Sequence, residues 1–194
     1  MKNKSNVGGR GNSVAALALL LMVSAVLACS LGDETDKANK LVDEGNVAIG
    51  DAKKFIAEAE DKKAKMNEAV SAINDDADLV AARSLAKEAI AAFDKTKAKC
   101  EETAKKFEEA SKLKIKDKFK EYLLLKVKEF QKRAELVEAA KGSPQALIDN
   151  DNKSAFNTAT KAADEKVDKL SKEADDLAGQ GTKIQKDNPD VFKS

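Results

Sequence analysis

SKLKIKDKFKEY, residues 111–122, decides between two shapes for this chain. Upstream of it Leu79, Ala82, Ala86, Ala89, Phe93, Thr96, Cys100, Thr103, Phe107 and Ala110 advance by alternating steps of three and four, the seam of a bundle helix over about 78–112. Downstream, Phe119, Leu123, Val127, Phe130, Ala134 and Val137 restore a helical period to about residue 141, where Lys141-Gly142-Ser143-Pro144 supplies a stop. Within the stretch itself that phase is lost. Lysine alternates with apolar residues, and Asp117 is placed to cap a new helix. A helix running straight through would have about 60 residues and a length of about 95 Å, with half of it lacking a partner. A break lets the two halves lie side by side, and the break is the expected reading.

The rest of the chain follows the same pattern. Ala38, Leu41, Gly45, Ala48, Ala52, Phe55, Ala59, Met66, Val70 and Ile73 mark a first helix over about 34–73, ended by NDDAD, residues 74–78. QALIDNDN, residues 145–152, reads as a short turn. A last helix over about 151–178 then rests on Phe156, Ala159, Ala163, Val167, Leu170, Ala174 and Leu177, with Gly179 and Gly181 at a fraying end. Four helices with short connections predict an all-α, antiparallel up-down four-helix bundle over 34–186, with alanine seams allowing close approach. In the tail, 187–194, the segment NPDVF either folds back as an apolar lid or frays.

Composition narrows the function. At 194 residues the chain supports one domain. Charged residues make up 36%, aromatics only 4%, and the formal net charge is +1, so there is no basic surplus to bind nucleic acid. Histidine is absent. Its absence removes the usual general base and zinc ligand. No Gly-rich phosphate loop, CxxC or GxSxG motif occurs. No catalytic, metal or cofactor-binding residue is therefore assigned, and the expectation is a protein that is not an enzyme.

The first residues read differently. Lys2, Lys4 and Arg10 precede an uncharged run, Val14 to Ala28, in the manner of the basic and apolar regions of a secretory signal. As helix that run would rise only about 22 Å, short of the roughly 30 Å hydrocarbon core. Val26-Leu27-Ala28-Cys29 resembles the lipobox of bacterial lipoproteins, with an aliphatic residue three before the cysteine and a small one just before it. The resemblance covers roughly the first thirty residues and implies three things. The Cys29 thiol receives a diacylglyceryl group of palmitate-like chains, residues 1–28 are removed by cleavage between Ala28 and Cys29, and the new amino end is often acylated too. Two or three chains make a stable anchor where one is marginal. Removing Lys2, Lys4 and Arg10 from 35 basic residues leaves 32 against 34 acidic ones, so the mature chain is slightly acidic. Residues 29–33 form a tether whose Ser30 to Asp33 reach about 14 Å at most. Ser30 after the cysteine resembles lipoproteins released to the outer membrane of a diderm envelope, on its periplasmic or surface side.

Other clusters read as structure. Cys100, in the second seam between Phe93 and Phe107, is expected to be a buried thiol. Glu101-Glu102, Glu108-Glu109 and Asp175-Asp176 are expected on solvated faces, and the acids of NDDAD and IDNDN, residues 148–152, in caps and turns. The lysines of KLKIKDKFK, residues 112–120, are the most basic local stretch and would suit anionic headgroups, although sequence alone leaves open which end of the bundle they occupy. The expected function is a non-enzymatic, membrane-anchored lipoprotein of the cell envelope. Its bundle would serve as a scaffold or partner-binding module, with membrane lipid and an unidentified envelope protein as partners. A stress-protective helical protein resembling the late-embryogenesis-abundant class, suggested by DKTKAKCEETAKKFEEASK, and a small-ligand carrier are the alternatives.

Overall fold

The computed structural model describes residues 34–72 and 80–192. Cys29, the Ala28–Cys29 cleavage point, Ile73, the NDDAD segment and Leu79 lie outside the described residues. Four long helices form, α1 (Thr35–Ala72), α2 (Val80–Ser111), α3 (Asp117–Ala140) and α5 (Lys153–Asp187), with two short ones, α4 (Gly142–Asp149) and α6 (Pro189–Phe192). No strand occurs among the described residues. The protein is an all-α helical bundle.

Pairs across each interface fix its direction. Between α1 and α2, Glu44 meets Lys106 at 2.7 Å, Asp51 meets Lys99 at 3.5 Å and Lys62 meets Glu88 at 2.6 Å, so numbers rise on one helix as they fall on the other. Asp94 to Lys141 at 2.8 Å and Lys97 to Glu138 at 3.0 Å do the same for α2 and α3. Phe107 against Phe130, with ring centroids 5.8 Å apart, continues that register. Lys132 to Glu173 at 3.2 Å and Tyr122 against Gly181 set α5 antiparallel to α3. Each long helix thus packs chiefly on its neighbours in sequence. The circuit is closed where Met66 of α1 shares a cluster with Phe156 of α5, and where Lys63 lies 3.7 Å from Asp164.

Every described residue of the predicted seams on α2 and α3 is buried. The break at 111–117 is also real, with α2 ending at Ser111 and α3 starting at Asp117. Asp117, however, is the first helical residue, not the cap. Lys116 holds the cap position without a side-chain bond, and Asp117 complements the positive end of the helix. On α1 the seam drifts in phase: Leu41 and Phe55 are only half-buried, while Val42, Ile49 and Ile56 fill the core. A straight helix at 3.6 residues per turn slips against a strict heptad, which explains the drift over 38 residues.

The region after α3 requires two corrections. α3 ends at Ala140, where the stop was expected, but QALIDNDN, residues 145–152, is not a short turn, because its residues are helical through Asp149. Lys141 keeps right-handed helical angles and the chain re-enters helix as α4, with Pro144 in the first turn, where its missing N–H costs nothing. The expected fraying at Gly179 and Gly181 does not occur either, because α5 continues to Asp187. Gly181 is buried against Tyr122, where a side chain would begin to crowd the ring. Beyond it, α6 turns Phe192 back onto Phe119 and Tyr122, edge to face at 5.9 and 5.2 Å, which is the lid alternative for the tail.

Two α1 glycines separate packing from propensity. A Cβ on Gly45 would lie 2.6 Å from Cε1 of the fully buried Phe107 ring, whereas one on Gly50 would meet nothing. Gly50→Ala is expected to stabilise by about 0.5–1 kcal/mol through helix propensity. Gly45→Ala should destabilise despite the same propensity gain, because overpacking costs about 1–3 kcal/mol. Urea denaturation of both variants, with Phe107→Leu completing a double-mutant cycle, measures the difference.

Candidate functional site

The centre of the bundle is α3, which carries two seams. One is apolar throughout, as predicted. The other runs Tyr122, Lys126, Glu129, Arg133, Leu136 and Ala140, and all six are buried. Steps of four and three put Lys126, Glu129 and Arg133 on one line, so the three charges stack along the helix. Lys126 Nζ donates to Glu129 Oε2 at 2.5 Å, and Arg133 Nε donates to Glu129 Oε1 at 2.9 Å. Both carboxylate oxygens are thus occupied by cations of the same helix. The guanidinium reaches on toward Asp175 Oδ1 of α5 at 3.5 Å.

Glu129 has no exposure at all and its two partners have 2% each. Neighbouring groups respond to this environment. Burial pulls the Lys126 ammonium below its ordinary range, against the opposing effect of Glu129. The same ammonium lies 5.2 Å from the centre of the Phe130 ring. Burial pushes the Tyr122 phenol above its usual value, and Glu129 adds to the effect. Cys100, fully buried on α2, lies within the electrostatic reach of Arg133 and Glu129.

This network escaped the sequence reading, which assigned charges to solvated faces. One signal was available. Beyond its first turn, the exposed positions of α3 are confined to a narrow line, Glu121, Leu124, Lys128, Gln131, Glu135 and Glu138, and the apolar residues Tyr122, Leu136 and Ala140 fall on the phase of Lys126, Glu129 and Arg133. A helix with two apolar stripes has two partners, and charges in phase with either stripe are buried.

The Cys100 expectation holds. The thiol is free and buried, and burial pushes it up to about 12 from an ordinary value of 9.0. Within 148–152, Asn152 caps α5, accepting from the Ala155 N–H at 2.9 Å, and Asp151 lies in the turn against Arg83 at 2.7 Å, as expected, whereas Asp149 is the last residue of α4 and accepts from Gln145 Nε2 at 2.8 Å. Arg83 also donates to the carbonyls of Leu147 and Asn150 at 3.3 and 3.1 Å, placing a cation at the negative end of α4. The acid pairs face outward beside lysines, as with Glu102 to Lys99 and Glu108 to Lys112.

An opening of about 420 Å³ lies among α2, α3 and α5, floored by Ala134 and Leu170 and rimmed by Lys97, Glu101, Glu135, Glu138 and Lys166. Its lining does not include the buried triad, whose residues are at most 2% exposed. Because Lys126, Glu129 and Arg133 all belong to α3, the clasp neutralises charge within one helix, and Arg133 to Asp175 ties this seam to α5.

Glu129→Leu alone strands Lys126 and Arg133 in the core and is expected to cost about 3–5 kcal/mol. Replacing all three with Met, Leu and Met should leave stability within about 2 kcal/mol of the parent by urea denaturation. The thiol gives an independent reading: Cys100 should label with thiol reagents only through unfolding. Because the folded state holds the thiol proton above pH 9, stability should fall as pH rises from about 9 toward 12, and Cys100→Ala should flatten that slope in thermal melts. No family model, no curated protein and no solved structure matches this chain, so its own residues carry the functional reading.

Proposed function

We propose that this chain is a bacterial envelope lipoprotein, held to a membrane through acylated Cys29, whose helical bundle serves as a non-enzymatic scaffold or partner-binding module. The observation that carries this reading is one of order along the chain. Three bases, an uncharged run and Val26-Leu27-Ala28-Cys29 end five residues before Glu34, where the described bundle begins. Anchor and folded body follow each other with only a short tether between them.

No helix among the described residues is long and apolar enough to cross a membrane. The core is also continuous, with Phe93, Phe107, Leu123 and Phe130 fully or almost fully buried, as befits a stable bundle rather than a protein ordered only on drying. In a diderm envelope Ser30 favours the outer membrane, on the periplasmic or surface side.

Protein extracted from native membranes is expected to yield an N-terminal peptide beginning at Cys29 with a mass increased by two or three acyl chains. Cys29→Ser should abolish that modification and leave an uncleaved precursor. An unmodified Cys29 in the membrane fraction would overturn the reading. Crosslinking in cells then identifies the protein neighbour of the bundle.

A further inference from the structure

The lysine-bearing turn between α2 and α3 occupies the end of the bundle at which the tether arrives. Glu34 N–H donates to the Lys114 carbonyl at 2.8 Å, and Lys114 N–H donates back to Glu34 Oε2 at 3.0 Å. This reciprocal pair clasps the first described residue of the bundle to the middle of the turn. The Lys114 N–H also holds the Glu34 carboxyl below its ordinary value, so the clasp is made by the charged form.

The turn sorts its side chains by alternation. Leu113 and Ile115 are half-buried and pack on the core, while Lys112, Lys114 and Lys116 are exposed. A tight turn makes this sorting: the Leu113 N–H donates back to the Ala110 carbonyl at 3.2 Å and the Ile115 N–H to the Leu113 carbonyl at 3.1 Å. Lys118 and Lys120, in the first turn of α3, are exposed as well. Two of the five have acidic partners, Lys112 with Glu108 at 2.6 Å and Lys118 with Glu121 at 2.7 Å. Asp117 is the one acid among residues 111–120.

At the other end of the bundle the α4–α5 connection carries Asp149 and Asp151, with Arg83 bonded to Asp151 at 2.7 Å, and among the described residues that end has no comparable run of lysines. An anionic plane attracts a run of exposed lysines.

We infer that the α2–α3 turn, through Lys112, Lys114, Lys116, Lys118 and Lys120, docks on the anionic headgroups of the membrane that holds the anchor, so that the bundle stands on this end. The inference rests on the lipoprotein reading for its tether. Ser30 to Asp33 span about 14 Å at most, and Glu34 is bonded to the turn itself, so the lysines cannot be far from the lipid surface. One anchor fixes position, and the basic end fixes orientation.

The test uses the full chain purified from membranes and reconstituted into vesicles of phosphatidylcholine alone or with about 30% phosphatidylglycerol, a composition that gives an anionic surface. Lysine acetylation rates are read by mass spectrometry. The turn lysines should label several-fold more slowly on the anionic vesicles than on the neutral ones, and high salt should remove the difference. Lys65, Lys87 and Lys161, away from the turn, should label alike on both. Equal rates for the turn lysines on the two vesicles, or equal slowing of the distant lysines, would overturn the inference. Lys114→Glu, Lys116→Glu and Lys120→Glu together should remove the anionic protection without altering the thermal melt. Retained protection in that variant would also overturn it. The mass of the N-terminal peptide in the same sample reports acylation separately. An unmodified Cys29 would count against the anchor, while the labelling pattern would still decide the orientation.

Discussion

A carboxylate sealed from water survives as an anion only if its charge is met from within, and Glu129 is met on both oxygens by cations of its own helix. The face of α3 that carries the three charges is covered by α5, with Asp175 and with the bare backbone at Gly181, so the charges must be paired within it. The opposite, apolar seam is covered by α2, and α1 completes the core by packing on α2. A central helix with one greasy seam and one charged seam cannot exchange its two neighbours. An apolar bundle of similar alanine-rich helices has several nearly equivalent arrangements, and the charged seam selects among them.

The α1–α2 pairing works by a different means. On α2 its seam is mostly alanine, threonine and cysteine with Phe93 and Phe107 as the large fillers, and on α1 alanine and Gly45 are interspersed with Val42, Ile49 and Ile56. Thr96 satisfies its buried hydroxyl on the Ala92 carbonyl at 2.9 Å, and Thr103 does so on the Lys99 carbonyl at 2.8 Å. Small residues let the helix backbones approach, and the Phe107 ring then occupies the space that Gly45 leaves open. Ion pairs such as Glu44 to Lys106 lie at the edges of this interface, exposed enough that each adds little.

How much of this was legible depended on how local each cause was. The seams of α2 and α3 were readable because each helix repeats its pattern over several turns, and the break at 111–117 because the period itself changes there. α4 was not readable: eight residues containing Gly142 and Pro144 carry turn chemistry, and they remain helical because Leu147 and Ala146 pack into a cluster with Met66 and Phe156. The extension of α5 past Gly179 has a similar origin, since Tyr122, far away in sequence, gives Gly181 a reason to stay helical. The charged seam was hidden by a sound rule applied to the wrong face. The proposed Cys29 anchor lies outside the described residues, where the sequence alone bears on it.

Because each long helix rests mainly on the one before it, the shortest loops close next to the helix connections and contacts between distant segments are few. Low contact order of this kind goes with folding in microseconds to milliseconds, zipping outward from the connections, the turn at 111–117 among them. Export as proposed above sets a rival clock. A chain made at about 5–20 residues per second has completed the α2–α3 hairpin seconds before its last residues are added, long after that hairpin is able to form. Passage through a membrane pore would then depend on holding the emerging helices apart. The slowest step would be the one that brings the Glu129 carboxylate and its two cations out of water together, since their hydration must be surrendered before α5 can close over them.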